Sequence, residues 1–352
     1  MKQIGFFDEA EAYRRLSQLG DCLEWVDKAM DWSMFLPLLD EVKPDRTRTS
    51  KGGRPPYSNL LMFKILILQH LYSVSNDSVE FQINDRLSWK RFPGLSLSDK
   101  VPDATTVWLF REALINNNTY DALFLLFNQR LLELGVITNR GSIVDASFVD
   151  APRQRNTREQ NRVIKEGGIP EGWELAENAP MLAQKDLDAR WAKKGEEVHY
   201  GYKDHVLVDA DSKIIINYQV TAAHVHDSRM LMPLLEFFGE DINVLFGDSA
   251  FLSEEMVAEV LRNYPHIRIR FNEKGKRNYP LTDEQRQTNR LKSRVRARIE
   301  HVFGHMENSM GGMLIRSIGI IRADCTIGLK NLAYNISRYA TLCRLGRAPS
   351  MV

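Results

Sequence analysis

The 352-residue sequence has little cysteine, no long apolar run and no excess of charge of one sign. Its three cysteines, Cys22, Cys325 and Cys343, are too few and too scattered for a disulfide framework or a zinc ribbon, and they fit a reducing, cytoplasmic setting. A membrane helix needs about 18 uninterrupted apolar residues, and Lys64 interrupts the best candidate, 60–68. The N-terminus lacks the apolar core of a secretory signal. We therefore expect a soluble, intracellular protein with no membrane partner.

The charge is balanced in total but not along the chain. The 47 Lys and Arg against 46 Asp and Glu argue against a nucleic-acid partner only if the charges are evenly mixed. Residues 234–259 carry seven acids and no Lys or Arg, whereas residues 262–298 carry twelve bases and three acids. A basic run of this density can neutralise phosphates, although it can also be a solvated helix face. Near-neutrality therefore does not exclude nucleic acid.

The first 140 residues predict helices. Residues 1–57 combine helical stretches with a polar loop rich in bases, proline and glycine, which we interpret as a flexible arm. Residues 58–140 are helical, with N-caps at Ser58 and Asp103 and a C-cap at Gly135, and the spacing predicts that Trp108 points inward.

At Ser142 the hydrophobic period changes to that of a strand. Residues 151–195 are polar and are predicted to be an insertion rather than core. A hairpin of two β-rich runs, a helix capped by Asp227, and alternating strands and helices follow, ending with helices at 282–309 and 323–345. The order β-β-β-α-β-α-β-α predicts an α/β domain over 141–346, with a mixed sheet like that of the ribonuclease-H-like fold, and a tail at 347–352.

Three acids stand out against this framework. Asp145 lies in an apolar strand, Asp248 ends another strand, and Glu300 is almost the sole acid in a strongly basic helix. Each Asp taken singly is explained by a cap or a turn, and Glu300 by an ion pair with Arg296. Together they are what two-metal phosphoryl chemistry requires, in which carboxylates hold two Mg²⁺ or Mn²⁺ ions about 4 Å apart.

The residues around these acids resemble a known family. The segments SIVDASFVDAPRQ, VHYGYKDHVLVD, VTAAHVHDS, LFGDSAF and SRVRARIEHVFGHMEN, with RPPYSNLLMFKILILQHLY and VPDATTVWLFREAL in the helical part, resemble bacterial insertion-sequence transposases of the DDE class, in the insertion-sequence-five group. The family's catalytic acids match Asp145, Asp248 and Glu300. In relatives the glutamate lies in a Tyr-x2-Arg-x3-Glu-x6-Lys pattern, and here Ser293 and Glu307 stand at the Tyr and Lys positions.

The resemblance implies an activity, a metal and partners. The protein is expected to cleave the ends of an insertion sequence and to join the freed 3′-hydroxyls to target DNA, with two Mg²⁺ ions, replaceable by Mn²⁺, held by the three acids and no organic cofactor. Its partners are double-stranded DNA, as terminal inverted repeats and target, and a second copy or more of itself. Its expected location is the bacterial cytoplasm, at the nucleoid.

The resemblance also indicates DNA contacts. The bases that lead into Glu300, namely Lys292, Arg294, Arg296 and Arg298, are placed to hold DNA against the metals. Lys203 and its neighbour His205 border the site or belong to a surface strand. In the helical part, the basic arm that ends at Arg54 is expected to recognise the inverted repeats, although a helical bundle that braces the catalytic domain is an alternative.

Other functions remain to be distinguished. A metal-dependent nuclease of the same fold shares the three acids without joining DNA, and a non-catalytic DNA-binding relative predicts the loss of an acid. A zinc hydrolase is suggested by His224, His226 and Asp227, and by the helical spacing of His301 and His305, but neither set completes a known pattern.

Overall fold

The computed structural model describes residues 8–43, 56–275 and 280–352. These form two compact units, one of the described residues up to 136 together with 328–352, and one of the described residues within 137–327. This division differs from the predicted domains, because it groups residues 328–346 with the helical part instead of with the sheet. Within the described ranges no helix is suited to span a bilayer, since the apolar helices are short and the long ones carry many charges.

The first unit is helical. Its elements are α1 (Asp8–Gln18), α2 (Cys22–Ala29), a 3₁₀ turn (Trp32–Phe35), α3 (Leu36–Asp40), α4 (Asn59–Tyr72), α5 (Asn76–Asp85), α6 (Leu87–Arg91), α7 (Ala104–Asn116) and α8 (Thr119–Glu133). The all-helical character predicted for this part of the chain is confirmed.

Local capping sets several of these boundaries. The hydroxyl of Ser58 accepts from the amide of Leu61 at the start of α4, and the carboxylate of Asp103 accepts from the amide of Thr106 at the start of α7. Gly135 follows α8 with φ of +68°, a conformation that favours glycine. The predicted caps are therefore confirmed. The inward orientation predicted for Trp108 is wrong, because its side chain is 41% exposed on a helix that buries other positions.

Aromatic side chains fill the core of the helical unit. The rings of Phe35 and Phe63 lie 5.0 Å apart, and Phe35 also packs against Phe127 at 6.3 Å. Phe127 in turn meets Tyr339, from the C-terminal part of the chain, with ring centroids 6.1 Å apart. This buried contact explains why residues beyond 328 belong to the helical unit.

The second unit is built on a mixed sheet. Its strands are β1 (Ser142–Asp150), β2 (Arg190–Lys194), β3 (Glu197–Asp209), β4 (Ile215–Ala222), β5 (Val244–Gly247) and β6 (Arg268–Phe271). The order along the sheet is β2-β3-β1-β5-β6, with β4 also paired to β3. The β1, β3 and β4 strands are antiparallel neighbours, whereas β1, β5 and β6 run parallel. This is the arrangement of a ribonuclease-H-like fold, and the predicted fold class is confirmed.

The segment 151–195 is more structured than an insertion. It contains the helices α9 (Arg158–Lys165) and α10 (Ala179–Leu182), and it ends in β2, which pairs with residues 197–201 of β3. The prediction that the whole segment lies outside the core sheet is therefore wrong for β2. The sequence RWAKK does not predict a strand, because charged and apolar side chains alternate only weakly in it.

Helices complete the sheet unit. They are α11 (Leu231–Leu235), α12 (Glu254–Asn263), α13 (Asp283–Asn308) and the beginning of α14 (Ile320–Arg344). A capping box fixes the start of α13, since Thr282 and Gln285 bond each other's backbone amides. The α13 helix packs against β1 and β5, burying Ile299, Val302 and Met306. The long helix predicted over 282–309 is confirmed.

Candidate active site

Asp145 lies within β1, the central strand of the sheet. It pairs with Val206 of β3 on one side, and the parallel pairing of β1 with β5 ends two residues before it, at Ile143 and Phe246. Burial raises the pKa of the Asp145 carboxyl, and the charge of Asp248 raises it further. The amide of Ala146 and the nearby Arg296 partly oppose this effect. Asp145 is thus a partly buried acid whose charge is incompletely compensated.

Asp248 follows β5 directly. Continuing the parallel register from Ile143 and Phe246 by two residues places Asp248 opposite Asp145. The Asp248 carboxylate caps a 3₁₀ turn (Ser249–Phe251) by accepting from the amide of Ser249 at 2.6 Å. The preceding Gly247 allows the close packing, because a Cβ there would lie 2.8 Å from the ring of Phe271. The sheet therefore brings these two acids together.

The third acid lies on α13. Arg296 of this helix approaches Asp145, with Nη1 3.7 Å from Oδ2. Glu300 follows Arg296 by one helical turn and is exposed. Within residues 8–43, 56–275 and 280–352, no three or more His, Cys, Asp or Glu side chains are grouped closely enough to hold one metal ion. Glu300 is therefore on the helix beside Asp145 but does not complete a three-acid cluster.

The donors fit a hard divalent cation only in part. Carboxylate oxygens are the ligands that Mg²⁺ and Mn²⁺ prefer, and the partly buried Asp145 with Asp248 beside it offers two carboxylates. A cation there would offset the cost of burying the Asp145 charge. Glu300 would have to be recruited from the exposed surface.

Of the two positions that depart from the family pattern, Ser293 has a hydrogen-bond partner and Glu307 faces solvent. The Ser293 hydroxyl accepts from the side-chain amide of Asn272 at 3.1 Å, and so ties α13 to the segment after β6. Glu307 is exposed, near the backbone of Gly312.

The bases predicted to contact DNA fall into two groups. The Lys292 ammonium donates to the carbonyl of Phe271 at 2.9 Å and has 12% of its side chain exposed. Arg298 donates to the carbonyl of Ala210 and to Asp211, at 2.9 and 3.0 Å. These two bases and Arg296 therefore contact protein groups.

The second group faces solvent. Arg294 is exposed, and so is Arg290 one turn earlier, which sequence reasoning did not single out although the four-residue spacing was visible. Arg54 lies outside the described residues.

The ammonium of Lys203 donates to acceptors within the sheet unit. Its ammonium lies 2.7 Å from Oδ1 of Asp227 and 2.9 Å from the carbonyl oxygen of Val225. The predicted N-cap role of Asp227 is wrong, because the ring of His226 caps the turn and accepts from the amide of Ser228. The Asp227 carboxylate thus pairs with Lys203, which lies 24 residues earlier in the chain.

Comparison with known proteins identifies the family. The model of the transposase DDE domain matches residues 138–336, a range that includes Asp145, Asp248 and Glu300. A second model, a transposase domain (DUF772), matches residues 11–113. A solved piggyBac transposase synaptic complex with hairpin DNA gives a TM-score of 0.47 at 11% identity, covering 94% of this chain and 76% of that chain. Because the first match spans more than half of the sequence, the chain belongs to the DDE transposase family.

Proposed function

We propose that this protein is a DNA transposase that cleaves the ends of an insertion sequence and joins the 3′-hydroxyls to target DNA. The observation that carries the proposal is that Asp145 and Asp248 follow the paired ends of two neighbouring parallel strands and that the charge of Asp248 acts on Asp145, within the transposase DDE domain match. Asp145, Asp248 and Glu300 would hold divalent cations, Mg²⁺ or Mn²⁺, two per site. When bound, the cations activate the attacking oxygen and stabilise the leaving oxygen of the phosphodiester.

The residues of the chain have distinct tasks in this proposal. Asp145 sits on the sheet and Asp248 directly follows β5, so together they would define where the reacting phosphate lies. Arg296 approaches Asp145 and helps to hold α13 beside the sheet, and the exposed Arg290 and Arg294 offer positive charge along α13 to the DNA phosphates. Attack by water frees a 3′-hydroxyl, and attack by that hydroxyl joins it to target DNA, without a covalent enzyme intermediate. Two ends must be joined, so we propose at least a dimer on DNA.

The test uses linear DNA that carries the element's ends, incubated with Mg²⁺ or Mn²⁺. Asp145→Asn and Asp248→Asn should each reduce cleavage about 10³-fold, equivalent to about 4 kcal/mol of transition-state stabilisation. Asp150→Asn is the matched control, because Asp150 ends the same strand with 58% of its side chain exposed. Cleavage that survives in both site variants would overturn the assignment.

One alternative is kept because the same observation supports it. A metal-dependent nuclease of this fold would use the same acid pair to cut without joining. Joined products from the wild-type protein favour the transposase, and cut ends alone favour the nuclease. DNA binding with neither product would indicate a non-catalytic relative.

A further inference from the structure

The Lys203 side chain is mostly buried and its ammonium is bonded to protein acceptors, whereas a lysine that contacts DNA needs an exposed ammonium. Its side chain is 11% exposed, and Asp227 and the carbonyl of Val225 accept from its ammonium. The ring of Phe148 lies beneath the same ammonium, 5.1 Å from it. An ammonium has three protons to donate, so these neighbours leave little capacity for a phosphate.

The sheet register separates Lys203 from the acid pair. Lys203 is the cross-strand partner of Phe148, and the pairing of β1 with β3 is regular from Ser142 to Asp150. Side chains alternate between the faces of a strand, so Phe148 and Lys203 share one face, and Asp145, three residues before Phe148, points to the other. Lys203 therefore lies on the far side of the sheet from the carboxylate of Asp145.

Asp227, the carboxylate that Lys203 binds, belongs to a turn that lies next to Asp248. Asp227 begins a 3₁₀ turn (Asp227–Met230), and this turn lies against the 3₁₀ turn Ser249–Phe251, which Asp248 caps. A second side chain of β3, His205, lies near Asp227. His205 is 1% exposed, its Nε2 lies 2.8 Å from the hydroxyl of Thr221, and its Nδ1 lies 3.8 Å from Asp227.

We propose that Lys203 is a positioning residue for Asp248. By holding Asp227, it fixes the turn Asp227–Met230 against the turn Ser249–Phe251, and so fixes the direction of the Asp248 carboxylate. This role deepens the proposed function and rests on it, because the direction of Asp248 matters only if that carboxylate serves the reaction. Outer contacts of this kind orient a ligand without touching what it binds.

The experiment compares Lys203→Met, Asp227→Asn, the double variant and Lys203→Arg in the full-length protein. Lys165→Met is the control, because Lys165 is exposed on α9. The first measurement is hydrogen exchange without DNA. Lys203→Met and Asp227→Asn should each speed exchange of the amides of 249–251 about tenfold, and the double variant should be no faster than the faster single one. Lys203→Arg, which can still reach Asp227, should restore most of the protection.

Two further measurements separate this role from others. Cleavage by Lys203→Met should need about tenfold more Mg²⁺ for half-maximal rate, while the salt dependence of DNA binding stays that of wild type. A loss of about 0.9 in the slope of log affinity against log salt would instead mark Lys203 as a phosphate contact. Faster exchange across the whole sheet unit, or additive effects in the double variant, would also overturn the proposal.

The exchange measurement stands apart from activity. If the wild-type protein does not cleave DNA, the proposed function fails, whereas the link from Lys203 to the turn of Asp248 is still decided by exchange. If cleavage occurs and the exchange of 249–251 is unchanged in Lys203→Met, the positioning role fails and the proposed function stands.

Discussion

Replacing Asp145 by asparagine should stabilise the protein when no divalent cation is present. Only 22% of the Asp145 side chain is exposed, and its pKa is raised, chiefly by burial. The charged form is therefore a cost to the folded state at neutral pH. Asparagine keeps the shape and can still accept from the amide of Ala146, which Asp145 Oδ1 does at 2.9 Å. What it loses is the 3.7 Å approach of Arg296, whose side chain is 26% exposed and hence accessible to water.

The expected gain is at most about 1 kcal/mol, because Arg296 keeps its charge and the loss of its carboxylate partner offsets part of the relief from burial. The sign of the pH dependence follows from the raised pKa. The cost of the Asp145 charge is complete above its folded pKa and disappears below the unfolded value of about 3.9. The two proteins should therefore converge in stability as the pH is lowered towards 4. Under the proposed function, Mg²⁺ at ten times its Kd would stabilise the wild type by about 1.4 kcal/mol and the variant by less.

Urea unfolding at pH 7.5, in EDTA and in Mg²⁺, measures both effects. Asp150→Asn is again the control and should stay within about 0.5 kcal/mol of wild type, since that side chain is mostly exposed. If Asp145→Asn is less stable than wild type by more than 1 kcal/mol in EDTA, the attraction of Arg296 outweighs the cost of burial and the reasoning is refuted. Equal responses to Mg²⁺ would separately contradict a cation at Asp145.

Further substitutions test other parts of the site. Gly247→Ala should cost about 1–3 kcal/mol in urea unfolding, because the added methyl would lie 2.8 Å from the ring of Phe271. Arg294→Ala should lower the salt slope of DNA binding by about 0.9 and leave the unfolding midpoint unchanged, since Arg294 is exposed. Lys292→Met should leave the salt slope of DNA binding unchanged and lower the free energy of unfolding by about 1–2 kcal/mol. The reason is that the Lys292 ammonium donates to a backbone carbonyl. Burial lowers the pKa of His70 to about 3, so stability should fall by about 3 kcal/mol as pH drops from 6.5 to 4, and His70→Gln should flatten that dependence.

The sequence predicts structural features that depend on contacts between residues close in the chain. It predicts less well those that depend on contacts between distant residues. Thr282 begins α13 as expected because its capping partner Gln285 is three residues away. The β2 strand was missed because its stability comes from pairing with 197–201 and not from the propensity of RWAKK. Asp227 was misread as a cap because the lysine that binds its carboxylate lies 24 residues earlier in the chain.

The site divides in the same way. Asp145 lies on β1 and Asp248 follows β5, and these strands pair in parallel, so the predicted ribonuclease-H-like fold implies that the two acids are neighbours. The exposure of Glu300 depends on how α13 rotates on the sheet, which is fixed by its buried side chains, among them Ile299 and Val302. The periodicity of the sequence identifies which side chains of α13 are buried. It does not give the rotation of the helix relative to Asp145 and Asp248.

The segregation of charge along the chain has two physical consequences, and only one concerns DNA. In the basic segment 262–298, Lys292 lies 3.4 Å from Glu273, Arg298 lies 3.0 Å from Asp211, and Arg296 lies 3.7 Å from Asp145. These bases tie α13 to the sheet, so counting them all as phosphate contacts overestimates the salt dependence of DNA binding. Arg290 and Arg294 face solvent and remain available. The basic segment therefore first secures the helix that carries Glu300 beside the acid pair, and only its exposed part can hold the phosphates.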